Sequence, residues 1–96
     1  MIMDSYKIAM IGDASTVAGF AAGGVVGFAQ DVEDPAETMN VLNELVHSAE
    51  YAIIFITEQL AEPLFDAIER IETGAVPAII IVPDQSGTRG IGYERI

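Results

Sequence analysis

The 96-residue chain contains no cysteine and no tryptophan. Without cysteine there is no disulfide, no thiolate nucleophile and no sulfur-ligated metal, which is ordinary in a reducing compartment. A single histidine, His47, is too little for a zinc centre, which takes several nitrogen or sulfur ligands. Cations are nearly as scarce. Lys7, Arg70, Arg89 and Arg95 stand against fifteen Asp and Glu, for a formal net charge of −11. Eleven of the acids lie between Asp31 and Glu72, where Arg70 is the single basic residue. Such a surface repels phosphate backbones and anionic headgroups, so nucleic acid and membrane lipid are excluded as direct partners. Its simplest use is solubility or life in a salt-rich cytoplasm, and a basic protein partner is the rarer alternative. The longest apolar runs fall short of the roughly 18 to 20 residues of a membrane span. Met1-Ile2-Met3-Asp4 lacks the positive start and long apolar core of a secretory signal. A cytoplasmic protein, reaching a membrane only through a partner, is expected.

What the chain does have is apolar runs of strand length. Tyr6–Ile11, Ala52–Ile56 and Ala78–Val82 are nearly continuous, as in strands covered on both faces, and Val25–Ala29 reads as a shorter one weakened by Gly27. Helical signals alternate with them. Gly12-Asp13-Ala14-Ser15-Thr16 gives a turn and an N-cap at Asp13 or Ser15, and a short helix through Val17, Phe20 and Ala21 ends at Gly23-Gly24. Asp34, Pro35 and Glu37 form a capping-box start, followed by the stripe Met39, Leu42, Leu45, Val46, Ala49, which ends near Ser48 to Glu50. Leu60, Leu64, Ala67, Ile68 and Ile71 make a second stripe after Thr57; Pro63 within it predicts a first turn, an offset, and a main helix to Glu72 stopped by Thr73-Gly74. The βαβαβαβ order with short connections predicts an α/β fold: a doubly wound parallel four-stranded sheet of spatial order 2-1-3-4, Rossmann-like or flavodoxin-like. Residues 1–83 are expected to form this domain and 84–96 a loop and the start of a tail that stops short.

The strand ends carry little chemistry. Gly12-Asp13-Ala14-Ser15-Thr16 links a strand to a helix N-terminus, where phosphates bind, but it lacks dinucleotide glycine spacing and a P-loop lysine and puts Asp13 in the anion's place. Capping is the expected role of Gly12, Asp13, Gly24, Asp34, Pro35 and Thr57. A response-regulator receiver needs an acidic pair, a phospho-accepting Asp after the third strand and a later Lys; that strand ends in Thr57-Glu58, and no Lys follows Lys7. His47 sits near a helix end, away from any activated nucleophile. Glu62, Asp66 and Glu69 follow a polar helical face without calcium-loop spacing. No catalytic residue, metal site or cofactor site is therefore expected.

Two features remain. Right-handed crossovers place the first helix on one sheet face and the others opposite, leaving alternate residues of strands three and four uncovered on the first helix's side. Exposed Ile and Val beside an edge strand call for a terminal helix or a partner. The tail gathers Arg89, Ile91, Tyr93 and Arg95, types enriched at protein interfaces; with Phe20 they are the candidate partner contacts.

Several stretches together resemble the F subunit of V-type and A-type ATPases and ATP synthases: Lys7–Asp13, Thr16–Phe20 to Gly24, Val32–Pro35, Ile56–Glu62 and Pro77–Pro83. The resemblance covers nearly the whole chain, and its strength lies in the ordered set of motifs. It implies a non-catalytic central-stalk subunit with a Rossmann-like domain and a mobile C-terminal segment. Such a subunit is bound to the coiled-coil shaft subunit beside neighbouring stalk subunits and tunes ATP synthesis or hydrolysis coupled to ion transport. Two departures stand out. Ala21-Ala22-Gly23 replaces larger residues, and the family's C-terminal helix continues beyond where this chain stops at Ile96. Two rival readings use the crevice between Gly12 and Thr57. One is a small ligand- or nucleotide-sensing module; the other is an enzyme of small acids, which requires Asp13 or Glu58 to have a strongly raised pKa.

Overall fold

The computed structural model describes residues 6–71 and 76–83. Strands β1 (Lys7–Gly12), β2 (Val26–Ala29), β3 (Tyr51–Thr57) and β4 (Ala78–Val82) form one sheet of order β2-β1-β3-β4. Every pairing is parallel, as the sequence predicts. Helix α1 (Ala14–Ala21) links β1 to β2, and α2 (Pro35–Ser48) links β2 to β3. After β3 come α3 (Glu58–Ala61), a 3-10 turn (Glu62–Leu64) and α4 (Phe65–Arg70). The interruption spans Pro63, which cannot donate to the helical ladder.

The core lies on one side of the sheet. Ala9 and Ile11 of β1 and Ile54 and Ile56 of β3 face Leu42 and Leu45 of α2 and Leu60 and Ala61 of α3. Ile68 and Ile71 pack on its margin. Tyr51, below a register slip between Lys7 and Ile8, joins the same core with its ring edge-on to Phe28 at 6.4 Å. The opposite face belongs to α1, which lies over β1 and β2. Gly27 allows that approach: a Cβ there would collide with Cγ1 of Val17. The residue that weakens β2 as a strand is thus what lets the helix sit on it.

Local details depart from the sequence expectations in several places. Asp34 Oδ1 accepts from the Glu37 amide at 3.1 Å, but the Asp34 amide donates to Asp31 O, so only half of the capping box forms. Thr38 is fully buried one turn before Leu42, a core position the apolar stripe did not include, and its Oγ1 donates to Asp34 O. Ala49 is exposed and outside the stripe; it terminates α2 in a left-handed conformation with φ 62°. Gly24, with φ 90°, relaxes the chain after α1, whereas the C-cap itself is Ala22 in helical geometry. Helix α4 ends at Arg70 instead of Glu72, because Ile71 is extended while its side chain packs against the core. The Thr73-Gly74 stop and the tail 84–96 lie outside the described residues.

Two substitutions test this packing. Gly27→Ala should lower the unfolding free energy by about 1–3 kcal/mol, the usual range for overpacking. Adding Val17→Ala should recover part of that loss, as measured by urea denaturation. Ala49→Gly should raise stability by about 0.5–1 kcal/mol, because glycine removes the left-handed penalty at a cost in unfolded-state entropy.

Candidate functional site

In a doubly wound sheet ligands bind outside the carboxyl ends of the strands where the order reverses, here between β1 and β3. Gly12 and Thr57 meet at that point, and it is filled. A Cβ on Gly12 would lie 2.9 Å from Cγ2 of Thr57, 3.3 Å from Cε of Met10 and 3.7 Å from Cβ of Thr16. Thr57 occupies the N-cap position of α3 without a side-chain capping hydrogen bond, so its methyl group closes the crevice while its hydroxyl leaves the cap unmade.

Asp13 occupies the place a phosphate would take. Its Oδ1 accepts from Thr16 Oγ1 at 2.6 Å, and its Oδ2 accepts from Ser15 Oγ at 2.8 Å and from the Thr16 amide at 3.4 Å. The Thr16 hydroxyl, followed by that of Ser15, holds the Asp13 carboxyl below the ordinary value of 3.8. This is the opposite of what an acid catalyst at neutral pH requires. Glu58 is buried at the start of α3. His47 is exposed in the last turn of α2, with Nδ1 donating to Asn43 O at 2.8 Å. No group of three His, Asp or Glu among the described residues is placed to hold a metal ion.

The gap expected on the α1 side of strands three and four is present at β4 alone, since Ile53 and Phe55 of β3 are half-buried. Register puts Ile8, Met10, Ile53, Phe55, Ile80 and Val82 on the α1 side. Met10 is fully buried, yet Ile8 is 37% exposed and Ile80 41%. Phe20 of α1 reaches across to Phe55, with ring centroids 5.9 Å apart and planes at 52°. Phe20 is thus an internal cover at the border of the bare patch, half-buried. Arg89, Ile91, Tyr93 and Arg95 lie outside the described residues.

A second apolar surface was missed by the sequence reading. Phe65, Asp66, Ile68, Glu69 and Ile81 line a groove of about 410 Å³ between α4 and β4. Phe65 is 37% exposed and Ile81 40%. Strand parity was the available signal, since Ile81 is registered with Ile56 on the α2 side, beyond the reach of the core helices.

Residues 8–96 match the model of a protein family described as the ATP synthase (F/14-kDa) subunit. The chain belongs to that family. It is 37% identical over 95 residues to the F subunit of the V-type ATP synthase of Clostridium perfringens, covering 98% of this chain and 88% of the relative. It is 40% identical over 86 residues to the F subunit of the A-type ATP synthase of Thermococcus kodakarensis, covering 86% and 79%. With the corresponding A-type protein of Methanosphaera stadtmanae it shares 43% over 84 residues, 84% and 76% of the two chains. In this member of the family the usual ligand crevice is closed, and among the described residues exposed apolar side chains lie on both sides of β4. No helix among the described residues is long and apolar enough to cross a membrane.

Asp13→Ala should cost about 1 kcal/mol by removing the α1 cap. Because the folded-state pKa is depressed, Asp13's ionic contribution is complete above its unfolded value and is lost as pH falls through the folded value. The stability difference between wild type and Asp13→Ala should therefore be constant from about pH 5 to 8 and shrink below 3.8. Urea titrations across that range measure it.

Proposed function

We propose that this chain is a non-catalytic central-stalk subunit of a V/A-type rotary ATPase. It binds the coiled-coil shaft subunit and modulates ATP synthesis or hydrolysis coupled to ion transport. The observation that carries the proposal is the incompletely covered α1-side patch, in which Ile8 and Ile80 are exposed and Ile53, Phe55 and Val82 are half-buried. Only the short helix α1 covers this face among the described helices, and a parallel sheet is stable in water when both faces are covered. A long helical partner laid on that face would complete the layer. The nucleotide sites then belong to other subunits, consistent with the filled Gly12/Thr57 crevice. Arg89, Ile91, Tyr93 and Arg95 would add polar and apolar contacts from the tail, beside Phe20. Regulation would be a shift in population between two docked forms. The protein would work in the cytoplasm, held beside the membrane by the rest of the complex.

The test is co-purification with the shaft subunit. Wild type should bind, and Ile80→Glu, which puts a carboxylate on the bare face, should bind at least about tenfold more weakly while retaining its fold, because a buried unpaired charge is costly. A wild-type chain that fails to bind the shaft sinks the proposal. Calorimetry with millimolar ATP should give no saturable heat; a saturable isotherm would favour the nucleotide-sensing alternative.

A further inference from the structure

The groove between α4 and β4 lies on the opposite side of β4 from Ile80, because Ile80 and Ile81 alternate across the strand. Its apolar lining is Phe65, Ile68 and Ile81; its polar lining is Asp66 and Glu69, both on α4. Neither carboxylate is paired with a cation among the described residues, and α4 belongs to the acid-rich stretch in which Arg70 is the single basic residue. An apolar trough with unpaired acids suits a side chain such as Leu, Ile or Phe carried by a helix with Lys or Arg one turn away. The apolar contact supplies burial and the charges supply orientation and choice of partner.

We propose that this groove is a second docking surface for the shaft, taking an apolar side chain flanked by basic residues on the shaft helix, so that the partner holds β4 from both faces. The inference rests on the proposed shaft binding and goes beyond it by naming a separate surface and the chemistry of what fills it. It assigns two kinds of contact to one strand: an apolar one at Ile80 and a salt-sensitive one at Asp66 and Glu69. A helix with acidic residues at the same positions would be rejected, since like charges would face each other across the rim.

The experiment uses the full chain and the purified shaft subunit, with binding measured at low and high salt. Asp66→Lys combined with Glu69→Lys should weaken binding about tenfold or more at low salt, and the gap from wild type should narrow at high salt as the charges are screened. Glu33→Lys combined with Glu44→Lys makes the same change in net charge at other exposed acids and should alter binding by less than about twofold. Ile81→Gln should weaken binding at both salt concentrations. Circular dichroism and the urea midpoint establish that each variant is folded. If wild type binds and the two charge-reversed variants lose affinity equally, the chain responds only to net charge and the groove assignment falls while shaft binding stands. The assignment also falls if both groove variants bind like wild type, or if methyl NMR of the free full chain shows residues 84–96 against Ile81. If wild type does not bind, both readings fall together.

Discussion

A parallel sheet has to be covered on both faces, and this chain covers one much better than the other. Alternate residues of each strand point to each side, so the apolar content of β1, β3 and β4 creates two surfaces of similar character. Helices α2, α3 and α4 answer one; α1, eight residues long and seated over β1 and β2, answers the other. The Phe20–Phe55 contact is as far as α1 reaches toward the β4 edge. Beyond it Ile80 stays accessible, and burying such a side chain against a partner contributes about 25 cal/mol per Å² before the costs of association. The deficit is topological: with order 2-1-3-4, one crossover lies on the α1 side and two lie opposite.

The same topology creates a crevice at the β1/β3 strand ends, and local chemistry closes it. Asp13 accepts three hydrogen bonds from the first turn of α1, which satisfies donors that would otherwise be free for an anion. The Thr57 methyl group stands where Gly12 lacks a side chain, so even a Cβ finds no room. A glycine at such a position often admits a ligand; here it admits a neighbouring side chain. Fold and function are thereby separated, because the scaffold associated with nucleotide binding has its usual binding point packed shut.

Much of the architecture was legible in the sequence because it depends on short-range signals. Continuous apolar runs marked the strands, Asp34-Pro35 marked the start of α2, and the handedness of crossovers then left one natural sheet order. The exposed α1-side position on β4 followed from the same reasoning, whereas the cover that Phe20 gives to Phe55 of β3 did not. What escaped depended on contacts between elements. Gly27 looked like a weakness until α1 was placed against it, and Ala49 carries no sign of the left-handed turn it must make. Thr38 was hidden because a threonine whose hydroxyl bonds back to Asp34 O can fill an apolar site. The α4/β4 groove required both the phase of the helix after Pro63 and the parity of β4, neither of which a stripe of apolar residues specifies. At the chemical site, the capping role of Asp13 was legible because hydroxyls at Ser15 and Thr16 follow it directly, whereas the packing of Thr57 on Gly12 joins residues distant in sequence.

Strand β4 is where these constraints converge. It ends the described sheet, pairs with β3 alone, and exposes Ile80 to one side and Ile81 to the other. An edge strand with an exposed apolar residue on each face is a hazard in a free monomer, since it offers backbone donors and acceptors together with apolar side chains to any other strand. High net negative charge counters that hazard by keeping copies of the chain apart, and it acts over a Debye length without filling either surface. The charge that discourages self-association does not discourage a basic helix. Under the docking proposed above, an acidic body with an apolar edge would stay apart from its own copies and still be drawn to a partner of opposite charge.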